Sequence, residues 1–167
     1  MMRRPAAFLA LCASLVLSTQ ALAAELPQRW VSAGGALSEW ITALGGEARL
    51  VGVDTTSQHP ASLKALPSVG YQRQLSAEGI LSLRPDVLVG TEEMGPPPVL
   101  AQIRKAGVRV ELFSSKAELP AVDENLRHLG QLLGAEQQAS ALAADYRQRL
   151  DALHANVKLA QACLLYT

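Results

Sequence analysis

Arg84-Pro85-Asp86-Val87-Leu88-Val89-Gly90 is the stretch on which the fold turns. Three consecutive apolar residues, entered through a proline and closed by a glycine, read as a short strand with no polar face. Such a strand must be buried on both sides, which is the situation of a parallel sheet covered by helices. The same punctuation recurs on either side of it. Upstream, Arg29 to Ala33 reads as a strand and Gly34-Gly35 breaks it. Leu37, Trp40, Ile41 and Leu44 then fall on one helical face, which Gly45-Gly46 ends, and Arg49 to Val53 is a second strand. Downstream, Val99 to Ala106 is helical, Gly107 stops it, and Val108 to Phe113 is again a strand. This alternation predicts an α/β fold with a parallel sheet. Ligands of open sheets of this kind sit beyond the carboxyl ends of the strands, so the loops after Ala33, Val53, Gly70 and Gly90 are where function is sought.

The last part of the chain follows a different pattern. Leu142, Tyr146, Leu150, Leu153 and Val157 mark one face of a long helix beginning near Ala135, with no Pro or Gly through Gln161. Cys163-Leu164-Leu165-Tyr166-Thr167 ends the chain without a capping signal, and the expectation is a chain cut short after that helix.

The beginning reads as a targeting segment. Arg3 and Arg4 precede an apolar run from Ala6 to Leu17, and Ala21-Leu22-Ala23 supplies the small residues a signal peptidase reads. Cleavage after Ala23 is expected, which places the mature chain outside the cytoplasm. Cys12 would leave with that segment and Cys163 would remain alone, so no internal disulfide is expected. Leu11 before Cys12 argues against a lipoprotein. The 167 residues, 49% of them hydrophobic, suffice for one ordinary domain, and the formal net charge of zero argues against a nucleic-acid partner. No second apolar run approaches the roughly 20 residues needed to span a bilayer.

Candidate chemistry concentrates in Leu66 to Asp86. Ser76 reads as a helix N-cap, with Ile80 and Leu83 facing the core. Gly70-Tyr71-Gln72-Arg73 precedes that helix, at the carboxyl end of an expected short strand. No nucleophile–base pair is visible, and no histidine–carboxylate cluster has metal-site spacing. Gly34-Gly35 faintly suggests a phosphate-binding turn, without the full glycine fingerprint.

These residues resemble the haem-binding periplasmic proteins that feed haem-uptake ABC transporters, within the wider group that carries cobalamin and iron-siderophores. Val51-Gly52-Val53, Leu66-Pro67-Ser68-Val69-Gly70, Glu78-Gly79-Ile80 and Leu83-Arg84-Pro85-Asp86 carry the resemblance to the group, and Tyr71-Gln72-Arg73-Gln74-Leu75-Ser76 carries the haem-type signal. The resemblance implies one Rossmann-like α/β lobe of a two-lobe binding protein. Residues 1–23 would be the signal peptide, 24–134 the ligand-binding lobe and 135–167 the interlobe helix, with the second lobe absent. It implies binding rather than catalysis, with haem b as the transported ligand. The partners would be an inner-membrane permease and its cytoplasmic ATPase, the protein being a periplasmic monomer. With one wall of the cleft missing, weak haem retention by this chain alone is expected.

The implied iron ligand is Tyr71. Tyrosine is an established haem-iron ligand, and a phenol with a pKa of about 10 must lose its proton to coordinate well. Arg73, two positions on in an extended loop, would share a face with Tyr71 and either favour the phenolate or pair with a haem propionate. Otherwise Tyr71 is an ordinary half-buried tyrosine. Gly70, just before Tyr71, is a candidate haem-binding residue. Thr91 and Met94 are candidate cleft-lining residues, Met94 giving soft contact to a porphyrin face. His59 is a candidate second axial ligand of the haem iron, with a surface loop residue as its plainer reading. Glu78 matches the position at which the group docks onto permease arginines, and it is also a carboxylate favoured at a helix start. The rivals are a cobalamin or iron-siderophore binder and an exported α/β enzyme. Tyr71 and Arg73 argue against cobalamin, whose cobalt already carries its own ligands.

Overall fold

The computed structural model describes residues 26–164. The expected signal peptide, 1–23, and the final residues 165–167 lie outside the described residues. Four strands, β1 (Trp30–Ala33), β2 (Leu50–Val53), β3 (Val87–Thr91) and β4 (Arg109–Phe113), form one parallel sheet in the order β2-β1-β3-β4. Five α-helices accompany them among the described residues: α1 (Gly35–Ala43), α2 (Ala77–Ser82), α3 (Pro97–Lys105), α4 (Leu119–Leu133) and α5 (Glu136–Leu164).

Strand alternation divides the core into two layers. Trp30, Val87, Val89 and Phe113 point to one side, where they pack with Leu37 and Ile41 of α1 and Leu129, Leu132 and Leu133 of α4. Val31, Ala33 and Leu88 point to the other, against Ile80 of α2 and Leu100 and Ile103 of α3. Trp30, Val31, Val87, Leu88 and Val89 are fully inaccessible, as an apolar run buried on both faces requires. Each such side chain contributes about 1.5–3 kcal/mol on burial. The expected α/β parallel architecture is therefore present.

Leu83-Arg84-Pro85-Asp86 turns out to build this sheet rather than a ligand site. Asp86 Oδ2 accepts hydrogen bonds from the backbone N–H groups of Gln28 and Arg29 at 2.8 and 2.9 Å. The Arg29 guanidinium donates to the carbonyls of Arg84 and Leu83 at 2.9 and 2.7 Å. The motif thereby ties the entry of β1 to the entry of β3, at the end of the sheet opposite the loops that follow the strands.

One expectation needs correction here. The short strand before Gly70 is an isolated bridge, Val53 to Ser68. Val53 N–H to Pro67 O, Val69 N–H to Val53 O and Thr55 N–H to Gly70 O join the two segments around it, and Pro67 has no N–H with which to extend the ladder upstream. The periodic face of α5 is buried only near its start. Leu142 packs on the core, but Tyr146, Leu153 and Val157 are exposed, because the helix runs beyond the lobe it starts on. Tyr146 meets the lobe once more through an edge-to-face contact with Trp40 at 6.3 Å, and its hydroxyl accepts from Trp40 Nε1 at 3.1 Å.

No helix among the described residues is long and apolar enough to cross a membrane.

Candidate functional site

The order β2-β1-β3-β4 sends the chain one way from β1 to β2 and the other way from β1 to β3. The loops after β1 and β3 therefore diverge and leave a crevice at the carboxyl ends of the strands. That crevice is present, with a volume of about 320 Å³. Ligand pockets run from about 300 to 1,000 Å³, so this one is small enough to be a single wall of a larger site. Gly34 and Leu37 line it from the β1 side, Thr91 and Glu93 from the β3 side, and Ser114 and Lys116 from the β4 side. Gln72, Trp40 and Asn125 also line it.

Two buried polar side chains hold the loops in place. Asp54, 2% exposed, follows β2 and reaches across to β1. Its Oδ1 accepts from the Gly34 N–H at 3.1 Å and from Ser57 Oγ at 2.7 Å, and its Oδ2 accepts from Thr56 Oγ at 2.7 Å. Ser57 Oγ lies 2.7 Å from Ser38 Oγ, which is hydrogen-bonded to Ser32 Oγ at 2.8 Å, so a continuous buried polar chain runs beneath the loop. Gly34 has φ +147°, a conformation that costs glycine little. A Cβ on Gly35 would lie 2.8 Å from the Thr56 carbonyl oxygen. Gly35 N–H donates to Thr56 Oγ at 3.0 Å. The amides that would cradle a phosphate at the start of α1 are thus already taken by Asp54 and Thr56, which removes the phosphate-turn suggestion. On the other side, Asn125 of α4, 6% exposed, accepts from Ser114 N–H at 3.0 Å and donates to Ser114 O at 2.9 Å. Sequence reading passed over both residues. Asp54-Thr55-Thr56-Ser57 was legible as turn chemistry, but neither Asp54 nor Asn125 carries a signal for its distant partner.

Tyr71 is 41% exposed and directly precedes Gln72, which lines this crevice, although Tyr71 is not itself among the lining residues. Its loop is not extended. Gly70 takes φ +90°, and Gln74 N–H donates to Tyr71 O at 2.7 Å, closing a turn. Tyr71 and Arg73 therefore do not share a face as they would on the expected extended backbone. The turn is fastened to the loop after β3 by Gly95 N–H to Gln72 O at 3.0 Å and Leu75 N–H to Gly95 O at 2.9 Å. Arg73 forms an ion pair with Glu93, a partner absent from both roles expected of it. The Glu93 hydrogen bond and charge, and secondarily the proximity of Tyr71, push the Arg73 pKa further up. Ser76 caps α2 as expected, its Oγ accepting from Gly79 N–H at 3.4 Å.

The remaining candidates separate. Thr91 lines the crevice. Met94 does not: it is 3% exposed and folds back over Gly90, whose missing side chain leaves the space its sulfur fills. Met94 is therefore a core residue and offers no porphyrin contact in this arrangement. His59 is exposed in the loop after β2 and, like Tyr71, is not among the residues lining the crevice. Glu78 is exposed in the first turn of α2. Among the described residues, no group of three or more His, Cys, Asp or Glu side chains is placed to hold a metal ion.

Comparison with known proteins gives a consistent picture. A periplasmic haem-binding protein from Pseudomonas aeruginosa is 66% identical, with a TM-score of 0.80 over 81% of this chain and 49% of that one. The periplasmic haem-binding protein HutB of Vibrio cholerae is 43% identical, with a TM-score of 0.72 over 77% and 49%. A vitamin B12-binding protein of Pectobacterium atrosepticum is 30% identical over 152 residues, which is 90% of this chain and 53% of that protein. The chain spans about half the length of the curated relatives it matches. The family described as periplasmic binding protein matches residues 31–164. With its parallel sheet, its crevice beyond the strand ends and that match over most of its length, this chain belongs to the periplasmic binding protein family.

Proposed function

We propose that this chain is the iron-ligating lobe of a substrate-binding component that captures haem in the periplasm and delivers it to an inner-membrane ABC permease. The observation that carries the reading is the exposed Tyr71, next to the crevice-lining Gln72 on a turn pinned by two backbone hydrogen bonds to the neighbouring loop. A hard phenolate oxygen suits ferric iron, and a fixed turn presents it without an ordering cost on binding. Gly70 sets the turn and Thr91 lines the adjoining wall. Arg73, within electrostatic reach of Tyr71, is placed either to favour the phenolate or to meet a propionate.

The role is binding and handover, with no bond made or broken in the cargo other than those to iron. Haem b is the transported ligand. Glu78, exposed on the rim, is the docking carboxylate for basic groups of the permease. Residues 1–23 serve as the cleaved export signal, residues 24–134 as the binding lobe and α5 as the connection to a second lobe. The relatives that bind vitamin B12 support cobalamin as the second reading. The available phenol weighs against it, since it has no role toward a cobalt already fully ligated.

Titrating hemin into the full-length protein, with Tyr71→Ala in parallel, tests this. A saturable high-spin ferric spectrum that is lost or strongly altered in the variant is expected. No saturable spectrum in the parent protein would overturn haem as cargo, and an unchanged spectrum in the variant would overturn Tyr71 as ligand.

A further inference from the structure

The ion pair between Arg73 and Glu93 has its two members in different positions relative to the crevice. Glu93 lines it, whereas Arg73 stands at its edge beside Tyr71. Building on the haem reading, we propose that Glu93 is a resident counter-ion that competes with the ligand's carboxylates for Arg73, and thereby favours release of an anionic porphyrin.

Three features support this. First, the pair is exchangeable. Its side chains are 53% and 43% exposed, and an exposed ion pair is weak enough for an incoming carboxylate to displace. The backbone around it is fixed by the Gln72–Gly95 and Leu75–Gly95 hydrogen bonds, so the exchange requires only side-chain movement. Second, the geometry sets like charges together. A carboxylate that reaches Arg73 from the crevice must come alongside the Glu93 carboxylate that Arg73 has released. Third, the charge inventory of the wall is balanced against a dianion. Lys116, across the crevice, forms no ion pair among the described residues, while Arg73 is neutralised by Glu93. Two cations for two propionates become available only when Glu93 has been set aside. A site built for tight retention alone would have no anion at this point. A delivery site gains from one, because the carboxylate that resists the ligand also recaptures Arg73 as the ligand leaves.

The test is Glu93→Gln in the full-length protein, read by equilibrium titration and dissociation rate with hemin and, separately, with hemin dimethyl ester. The exposed position of Glu93 makes the variant compatible with the fold. From the weakness of exposed pairs, hemin is expected to bind about two- to fivefold more tightly in the variant and to dissociate correspondingly more slowly. The ester, which has no carboxylates, is expected to show no change. Unaltered or weakened hemin binding by the variant would overturn the proposal, as would an equal gain with the ester. A parent protein that gives no saturable hemin spectrum would overturn the haem reading itself, and the proposal with it.

Discussion

Replacing Asp54 with alanine is expected to be among the most damaging single changes at the candidate site, although Asp54 does not line the crevice. Three donors converge on its carboxylate: the Gly34 N–H, Thr56 Oγ and Ser57 Oγ. Their fates after truncation differ. Ser57 retains Ser38 as a partner at 2.7 Å, and Thr56 still accepts from Gly35 N–H, so each hydroxyl keeps one bond. The Gly34 N–H is left with none, beside a side chain position that is 2% exposed. An orphaned buried polar group costs about 1–3 kcal/mol, and a hydrogen bond to a charged acceptor contributes about 1.5–3 kcal/mol. Because the three bonds are not additive, the expected loss is about 3–5 kcal/mol, a large share of a typical total of about 5–15 kcal/mol. Asp54→Asn keeps the shape and one acceptor oxygen and is expected to lose only about 1–2 kcal/mol. Urea unfolding followed by far-ultraviolet circular dichroism measures both, and amide hydrogen exchange at Gly34 reports the local consequence. A loss under about 1 kcal/mol for alanine, or equal losses for both variants, would refute the assignment of Asp54 as the clamp of this loop.

Two further expectations follow from burial and exposure. Leu129→Ala removes a fully buried side chain between α4 and the sheet, and a loss of about 2–5 kcal/mol in the same unfolding assay is expected. Glu78→Lys reverses an exposed charge in the first turn of α2, so hemin titration is expected to be unchanged while haem-dependent transport in cells falls.

The centre of the sheet was legible because its strands are buried on both faces. Val87-Leu88-Val89 and Trp30-Val31 have no polar side to turn to water, and glycines mark where they stop. The helix Leu119–Leu133 carries a comparable signal, with Leu126, Leu129 and Leu133 at helical spacing and Gly134 in the left-handed conformation after it. What sequence could not convey was contact between distant segments. Met94 reads as a loop residue until Gly90 is seen to leave a space beneath it. Arg73 reads as a partner for Tyr71 or a propionate until the loop after β3 brings Glu93 against it. Asp54 and Asn125 have neighbours of ordinary turn and helix composition, and their importance comes from backbone groups 20 and 11 residues away.

The Asn125 clamp on Ser114 has a consequence for the heat of binding. Both the N–H and the carbonyl of Ser114 are occupied by one buried amide, so the wall after β4 is ordered before any ligand arrives. A ligand that meets such a wall does not fold it. Calorimetry should therefore record a heat-capacity change accounted for by the apolar area the ligand covers, without the larger negative value and entropic penalty that accompany coupled ordering. Asn125→Ala would move the system toward that second signature, making the same contacts at the cost of organising them first.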